Sequence, residues 1–369
     1  MPHPARPTVT LHDVARAAGV SLATASRVLG GSARKVAAEY ERKVLAAAAE
    51  LNYTPDLSAR AMRGPTDTVA LVADDLTTPS IGLVVAAMER QARTVGAFVS
   101  VAQTRGVPER QFDTVRTLCA FRPRALVLTS TRVEGTARNV RLIEELRAYQ
   151  RNGGRVVIYG SVDLPFDSVR FDDRTSARLV GEHLATTGHR KILILSGTPD
   201  RAFAAERQAG FEAGLAAHGV RAVRAVECEV SRQGGYQAVL DAQAGGGLDG
   251  VDAIVAVNDV VAIGALSACR DAGIAVPGQL SVTGFDDVPL ASDLTPRLAT
   301  LALPHAASGA RAVQMALADA DGLDGREPLR AEDEGGREPL RAEGEGGREP
   351  LREVIVGRFI ARESCAPRL

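Results

Sequence analysis

The sequence predicts an N-terminal all-α helix-turn-helix headpiece with a hinge helix, followed by an α/β core of two doubly wound parallel-sheet lobes. Three observations predict it. Two short amphipathic segments meet at Gly19; a brief helical segment is trapped between Pro55 and Gly64-Pro65; and from residue 67 short apolar runs alternate with amphipathic ones.

Thr10 suits the N-cap of a first helix, with Asp13 near its positive end. Leu11, Val14, Ala15 and Ala18 then share one face, and Gly19 can take the left-handed conformation that closes the helix. Ser21 caps a second helix whose inward face is Val20, Ala25, Val28 and Leu29. Leu22, Ala23, Thr24, Ser26 and Arg27 remain outward, a mixed surface suited to a DNA major groove. Alone, the pattern fits an ordinary helical hairpin in a larger core equally well. Val36 to Leu51 continues as helix on a stripe of Val44, Leu45, Ala48 and Leu51; Asn52 ends it and Pro55 forbids continuation. Asp56 can cap the run to Arg63, but about eight residues are too few to hold a helix alone in water, so this segment should fold when templated.

The core reads as strands and helices in alternation. Strands at Val69–Ala73, Ala97–Ala102, Ala125–Thr129 and Val156–Tyr159 are separated by helices at Ser80–Gly96, Glu109–Ala120 and Leu142–Asn152. A second copy follows, with strands at Ser168–Phe171, Ile192–Ser196, Arg224–Glu229, Ala253–Val257 and Ser281–Gly284. Its helices are Thr175–Thr187, Ala204–Gly219, Gly234–Ala244 and Val260–Ala272. Short apolar strands between amphipathic helices imply parallel sheets covered on both faces, with ligands beyond the carboxyl ends of the strands.

A chain of 369 residues with formal net charge −1 has room for two or three domains and is no polycation. The charge is unevenly placed: residues 1–63 hold nine Lys or Arg against five Asp or Glu, leaving 35 against 40 in the rest. A basic end on a mildly acidic body fits nucleic-acid binding at that end. Cys119, Cys228, Cys269 and Cys365 lie far apart without metal-ligand spacing, which reads as reduced thiols of a cytoplasmic protein. No signal peptide or bilayer-spanning stretch is read, and no metal or other cofactor is expected. Gly245-x-Gly247-x-x-Gly250 precedes a strand instead of following one, so it is a loop and not a phosphate cradle; no catalytic constellation stands out among the six histidines, and no enzyme is expected.

With these residues in hand, the run from Thr10 to Arg63 resembles the DNA-binding headpiece and hinge helix of the lactose repressor (LacI) family of bacterial transcription regulators. The resemblance rests on Leu11-x-Asp13-Val14-Ala15, Ala18-Gly19-Val20-Ser21, Ala23-Thr24-x-Ser26-Arg27-Val28 and Asn52-Tyr53-x-Pro55 followed by Ser58-Ala59-Arg60-Ala61. It implies that Leu22, Ala23 and Arg27 read base edges, that Ser21, Thr24 and Ser26 hold phosphates, and that Met62 wedges into the central minor-groove step. Thr10, Tyr53, Ser58 and Ala59 complete the DNA-binding set it implies. Ala25 stands where the family has valine, and Gly30 where it has asparagine.

The core resembles the same family's type I periplasmic-binding-protein-like fold through Asp75-Leu76 with Pro79, Val169-x-x-Asp172, Glu206-Arg207-x-x-Gly210-Phe211, Asn258-Asp259 and Gly284-Phe285-Asp286-Asp287. The resemblance implies that Arg207, Asn258 and Asp286, with Ser80 and Phe203, bind a small effector, a sugar or sugar derivative being the family expectation. Against this stands the plain reading that Arg207 and Asp286 only pair within the scaffold and that Phe203 is core. Ser80 and Ile81 replace aromatic residues that many relatives carry after Pro79, which argues against a purine-stacking slot.

The expected organisation is a headpiece at 8–54, a hinge helix at 55–65 and an effector-binding and dimerisation core at 66–369. Within the core, the N-lobe takes about 66–166 and 297–323 and the C-lobe about 167–296 and 350–369. Gly325–Gly335 recurs at Gly336 and partly at Gly347; a proline and a single leucine per eleven-residue copy exclude a coiled coil. Residues 325–346 are therefore read as a disordered, neutral loop expansion. The implied protein is a repressor, a homodimer or by further pairing a tetramer, on a pseudo-palindromic double-stranded DNA operator under effector control. An activator or dual regulator of the same family, and a solute-binding protein, are the alternatives.

Overall fold

Thr10 Oγ1 accepts the backbone N–H of Asp13 while the Asp13 carboxylate accepts the N–H of Thr10, a closed capping box that starts helix α1 (Leu11–Ala17). In the computed structural model, which describes residues 9–29, 36–53, 66–105, 107–129, 136–199, 201–318 and 349–368, the chain divides into two units, Met1–Thr66 and Asp67–Leu369. The hinge segment with Ser58, Ala59 and Met62, and the repeat at 325–346, lie outside the described residues.

The first unit holds α1, α2 (Leu22–Leu29) and α3 (Ala38–Glu50) around Val14, Ala15, Ala18, Ala25, Val44, Ala47 and Ala48. Gly19 turns the chain with φ +63°, as its lack of a side chain permits. Helix α3 begins two residues later than its sequence suggests, because Ala37 offers no capping side chain. Leu45 is 51% exposed and is not part of the stripe; Ala47 takes its place. Val44, Ala47, Ala48 and Leu51 follow the i, i+3, i+4, i+7 spacing, and Leu45 lies about 100° round the helix from Val44.

The second unit contains β1 (Thr66–Ala73), α4 (Pro79–Arg93), β2 (Phe98–Gln103), α5 (Pro108–Ala120), β3 (Pro123–Thr129), α6 (Thr136–Arg151), β4 (Arg155–Tyr159) and β5 (Asp167–Phe171). It continues through α7 (Asp173–Thr186), β6 (Ile192–Ser196), α8 (Ala202–Ala216), β7 (Ala222–Glu227), α9 (Arg232–Ala244), β8 (Ala253–Ala256), α10 (Asp259–Asp271) and β9 (Ser281–Asp286). A 3₁₀ turn at Pro289–Ser292 precedes β10 (Ala299–Ala302), α11 (His305–Leu317), β11 (Arg352–Ile355) and β12 (Arg358–Ile360). Two six-stranded sheets result, in the orders β11-β5-β4-β3-β1-β2 and β12-β10-β9-β8-β6-β7. Strand β12 is antiparallel to β10, and the other described pairings are parallel.

The allocation of strands to lobes differs from the expected one. Strand β5, expected to open the second lobe, pairs with β4 through Tyr159↔Val169 and belongs to the first sheet. Strand β10, expected in the first lobe, lies in the second sheet, whereas α11 packs with the first, against α4. Within 350–369, β11 joins β5 in the first sheet and β12 joins the second. Strands covered on both faces look alike in sequence whichever sheet they join, so periodicity cannot allocate them. Among the described residues the chain thus passes between the sheets three times, at α7, at Leu303-Pro304 and at Val356-Gly357.

Helices α7 and α8 pack closely because glycines face the contact. A Cβ on Gly214 would stand 2.2 Å from the carbonyl oxygen of Arg178, and one on Gly210 2.3 Å from that of Arg174. This approach sets the start of α7 beside Arg207 on α8. Far apart in sequence, buried Arg311 on α11 donates its Nε to Glu353 Oε1 on β11 at 2.7 Å.

Candidate functional site

The headpiece presents α2 outward. Ser21 Oγ accepts the N–H of Thr24 at 3.1 Å and lies 2.9 Å from Thr24 Oγ1, so the pair both caps the helix and keeps hydroxyl groups at its N-terminal end. Ala25 is buried, Ser26 and Thr24 are half-buried, and Ser21, Leu22, Ala23 and Arg27 are exposed. Outside Ala25, the start of α2 presents an apolar group, hydroxyls and a cation, chemistry that suits base edges and phosphates. Thr10 is engaged in its capping box, and Tyr53 is half-buried against the headpiece core.

In the core, the carboxyl ends of the strands converge on one cleft of about 810 Å³, its open mouth included. Asp74 follows β1, Thr129 ends β3, Tyr159 ends β4, Phe171 ends β5, Asn258 follows β8 and Asp286 ends β9; all six line the cleft. Ser80, Phe203 and Arg207 line it as well, so the five residues expected to meet an effector stand around a single cavity.

Arg207 is the organising group. Its Nε donates to Asp173 Oδ1 at 2.7 Å, its Nη1 donates to the Val257 carbonyl at 2.9 Å, and its Nη2 stands 3.1 Å from Asp286 Oδ1. The guanidinium carbon lies 3.8 Å from the Phe285 ring centre and 4.8 Å from that of Phe203. Burial alone would hinder ionisation of Asp286, but the Arg207 charge outweighs it and holds the carboxyl below the usual carboxylate range. The pairing reading is therefore correct for Arg207 and Asp286, and it does not remove them from the cleft. Three of the five guanidinium N–H groups face these partners, which leaves two for other acceptors. Asn258 caps α10 by accepting the Val261 N–H at 3.0 Å, which leaves its amide N–H₂ for the cavity.

Asp286 and Asp287 have φ of +109° and +53°, a backbone that side-chain-bearing residues rarely adopt. Asp259 holds this turn: its Oδ2 accepts the Val288 N–H at 2.8 Å and its Oδ1 accepts the Thr300 hydroxyl at 2.5 Å. Burial and the neighbouring charge of Asp286 push the Asp259 carboxyl up to about 8.

Sequence reasoning did not single out Asp173, Tyr159, Phe171, Arg201 or His305. Asp173 adjoins the noted Asp172, which only caps α7; the buried partner is the next residue, which also accepts from the Ser161 hydroxyl. Tyr159 as a polar residue ending an apolar strand was a usable signal. His305 had none, because β10 and α11 were not read from periodicity. Among the described residues no group of His, Cys, Asp or Glu is arranged to hold a metal ion. Burial raises all four cysteine thiols to about 11, so none is a ready nucleophile.

A helix-turn-helix unit on a two-sheet core with a polar cleft at its strand ends defines a DNA-binding regulator that carries a ligand domain. Residues 10–56 match the family described as bacterial regulatory proteins, lacI family, and residues 182–332 match the periplasmic binding protein-like domain. The chain is 32% identical over 318 residues to the HTH-type transcriptional regulator GalR of Escherichia coli (strain K12), covering 85% of this chain and 89% of that protein. It is 27% identical over 317 residues to the ribose operon repressor of the same organism, covering 83% and 91%. The lac repressor dimer solved with operator and the anti-inducer ONPF superposes with a TM-score of 0.75 at 25% identity, over 97% of this chain and 99% of that one. The chain belongs to the lacI family of bacterial regulatory proteins, a family of DNA-binding transcription regulators. Among the described residues no helix is long and apolar enough to cross a membrane.

Proposed function

We propose that this chain is a cytoplasmic, non-catalytic repressor that acts as a homodimer on a pseudo-palindromic operator and is switched by a sugar or sugar derivative in the core cleft. The observation that carries the ligand half is the convergence of Ser80, Phe203, Arg207, Asn258 and Asp286 on one cavity at the strand ends. A paired guanidinium and carboxylate can each hydrogen-bond neighbouring hydroxyls, and half-buried Phe203 offers a ring to a sugar's C–H face. The relatives whose names concern ribose and an operator-bound dimer support the same reading.

On the DNA side, headpiece 8–54 reads bases with Leu22, Ala23 and Arg27 and holds phosphates with Ser21, Thr24 and Ser26; Thr10 and Tyr53 complete its contacts. Hinge 55–65 enters the minor groove with Ser58 and Ala59 at the backbone and Met62 as the wedge. Two headpieces then occupy half-sites about one helical turn apart or more. Effector closure of the core alters the hinge, and a coupling of about 1–3 kcal/mol suffices for a severalfold change in DNA affinity.

Genomic footprinting, followed by anisotropy on the recovered site, tests this. Met62→Gly is expected to weaken operator binding and leave effector binding unchanged, whereas Arg27→Ala is expected to cost about 1–3 kcal/mol and relax specificity at one base pair. If binding shows no preference for any palindrome over random DNA, the regulator reading fails.

A further inference from the structure

Inside the cleft, buried polar atoms gather that the scaffold does not satisfy. Tyr159 Oη and both ring nitrogens of His305 make no hydrogen bond of good geometry among the described residues; Ser308 near Tyr159 and Asp286 near His305 are polar neighbours without alignment. Tyr159 is 4% and His305 7% exposed, and both line the cavity. Asp286 Oδ1 faces them: it stands 3.8 Å from His305 Nε2, and its ion pair with Arg207 leaves it without a well-aligned hydrogen bond. Phe171 fixes both rings edge-on, with centres 5.5 Å from Tyr159 and 5.6 Å from His305. Burial drives the Tyr159 phenol far above its ordinary range, so it remains an O–H donor. Native interiors rarely leave such donors and acceptors unpaired, and a cluster of them on a cavity wall indicates a ligand that completes them.

The charges lining the cavity say what that ligand is not. Arg207 is neutralised by Asp173 and Asp286, and Arg201 stands 3.8 Å from Asp74. Asp74 also accepts the Thr104 hydroxyl at 2.9 Å, and Asp75 accepts the N–H and hydroxyl of Thr77 at 2.8 and 2.7 Å. Both guanidinium groups are thus already faced by carboxylates, whereas Asp75 has only the neutral Thr77 and Gln103 groups beside it, so acidic charge exceeds basic charge around the cavity. A phosphate would bring its charge against that acidic excess, with both guanidinium groups already neutralised, while hydroxyl groups can use the Tyr159, His305 and Asp286 atoms without adding charge.

We propose that Tyr159 and His305 are ligand-contacting, specificity-determining residues, and that with Asp286 they select an uncharged polyhydroxylated molecule over its phosphate ester. This rests on the reading of the cleft as the effector site. The His305 imidazole can donate from one nitrogen and accept at the other, so it bridges two neighbouring hydroxyls, and the phenol donates to a third oxygen.

The test is calorimetric titration of the full-length protein with D-galactose, D-ribose and D-glucose and with galactose 6-phosphate, ribose 5-phosphate and glucose 6-phosphate. At least one neutral sugar is expected to bind, with its phosphate at least tenfold weaker. Tyr159→Phe and His305→Leu are each expected to weaken the bound sugar about tenfold, which is about 1.4 kcal/mol. Unchanged urea denaturation of Tyr159→Phe separates lost contact from lost fold, and His305→Gln, which keeps a donor and an acceptor, is expected to restore part of the affinity. Preferential binding of a phosphate, wild-type affinity in Tyr159→Phe, or no binding by any neutral sugar overturns the proposal. Specific operator binding measured on the same preparations decides whether the regulator reading falls with it.

Discussion

Asp173 Oδ1 accepts from Arg207 Nε at 2.7 Å, and this bond ties the start of α7 to the second turn of α8 at the floor of the cleft. Both side chains are buried. The arginine is therefore a pre-aimed group at the cleft, with its rotamers already fixed by Asp173, Asp286 and the Phe285 ring.

Asp173→Asn should loosen that group. A hydrogen bond to a charged partner contributes about 1.5–3 kcal/mol, and loss in this range is expected in urea unfolding. Effector affinity should fall as well, although Asp173 does not line the cavity. An effector isotherm identical to wild type would show that Asp286 alone positions Arg207.

The pH dependence of stability should carry the signature of Asp259. Its carboxyl is raised on folding, so the stability it contributes is full below the ordinary value of 3.8 and is lost as pH rises through about 8. Asp259→Asn removes the titrating group. Urea unfolding should therefore show wild type losing ground to the variant between pH 5 and pH 8, by a few kcal/mol, roughly 1.4 per unit of effective shift. Parallel profiles would mean that Asp259 is ionised in the folded chain at neutral pH.

Gly214→Val should disrupt the α7–α8 contact, since a Cβ there would lie 2.2 Å from a backbone oxygen that cannot retreat cheaply. The cost is expected to be at least about 1–3 kcal/mol, with weakened effector binding because Asp173 and Arg207 move apart. A variant with wild-type melting temperature and effector affinity would show the interface to be slack.

Removing residues 325–346 should leave unfolding within about 0.5 kcal/mol and operator affinity unchanged. The elements on either side, α11 and β11, are joined directly by the Arg311–Glu353 pair, which does not need the repeat. A marked loss of operator binding in the deletion would make the repeat a functional part.

Much of the molecule was legible in the sequence for identifiable reasons. The capping box at Thr10 and the turn at Gly19 are local, so the headpiece helices could be read from spacing alone. Leu45 misled because its size suggested burial, whereas helical phase puts smaller Ala47 inside. In the cleft, Arg207, Asn258 and Asp286 stood in recognisable strings; His305 and Asp173 did not, because their partners lie far along the chain.

By itself the sequence determined the order of helices and strands, the polar ends of the strands and the basic headpiece. Those depend on periodicity, capping and charge, which act over a few residues. The tertiary structure decided which sheet each strand joins, which aspartate neutralises Arg207 and which buried atoms face the cavity unpaired. Parallel strands covered on both faces read alike until they pair, and a buried charge acquires its meaning only from neighbours brought from elsewhere in the chain.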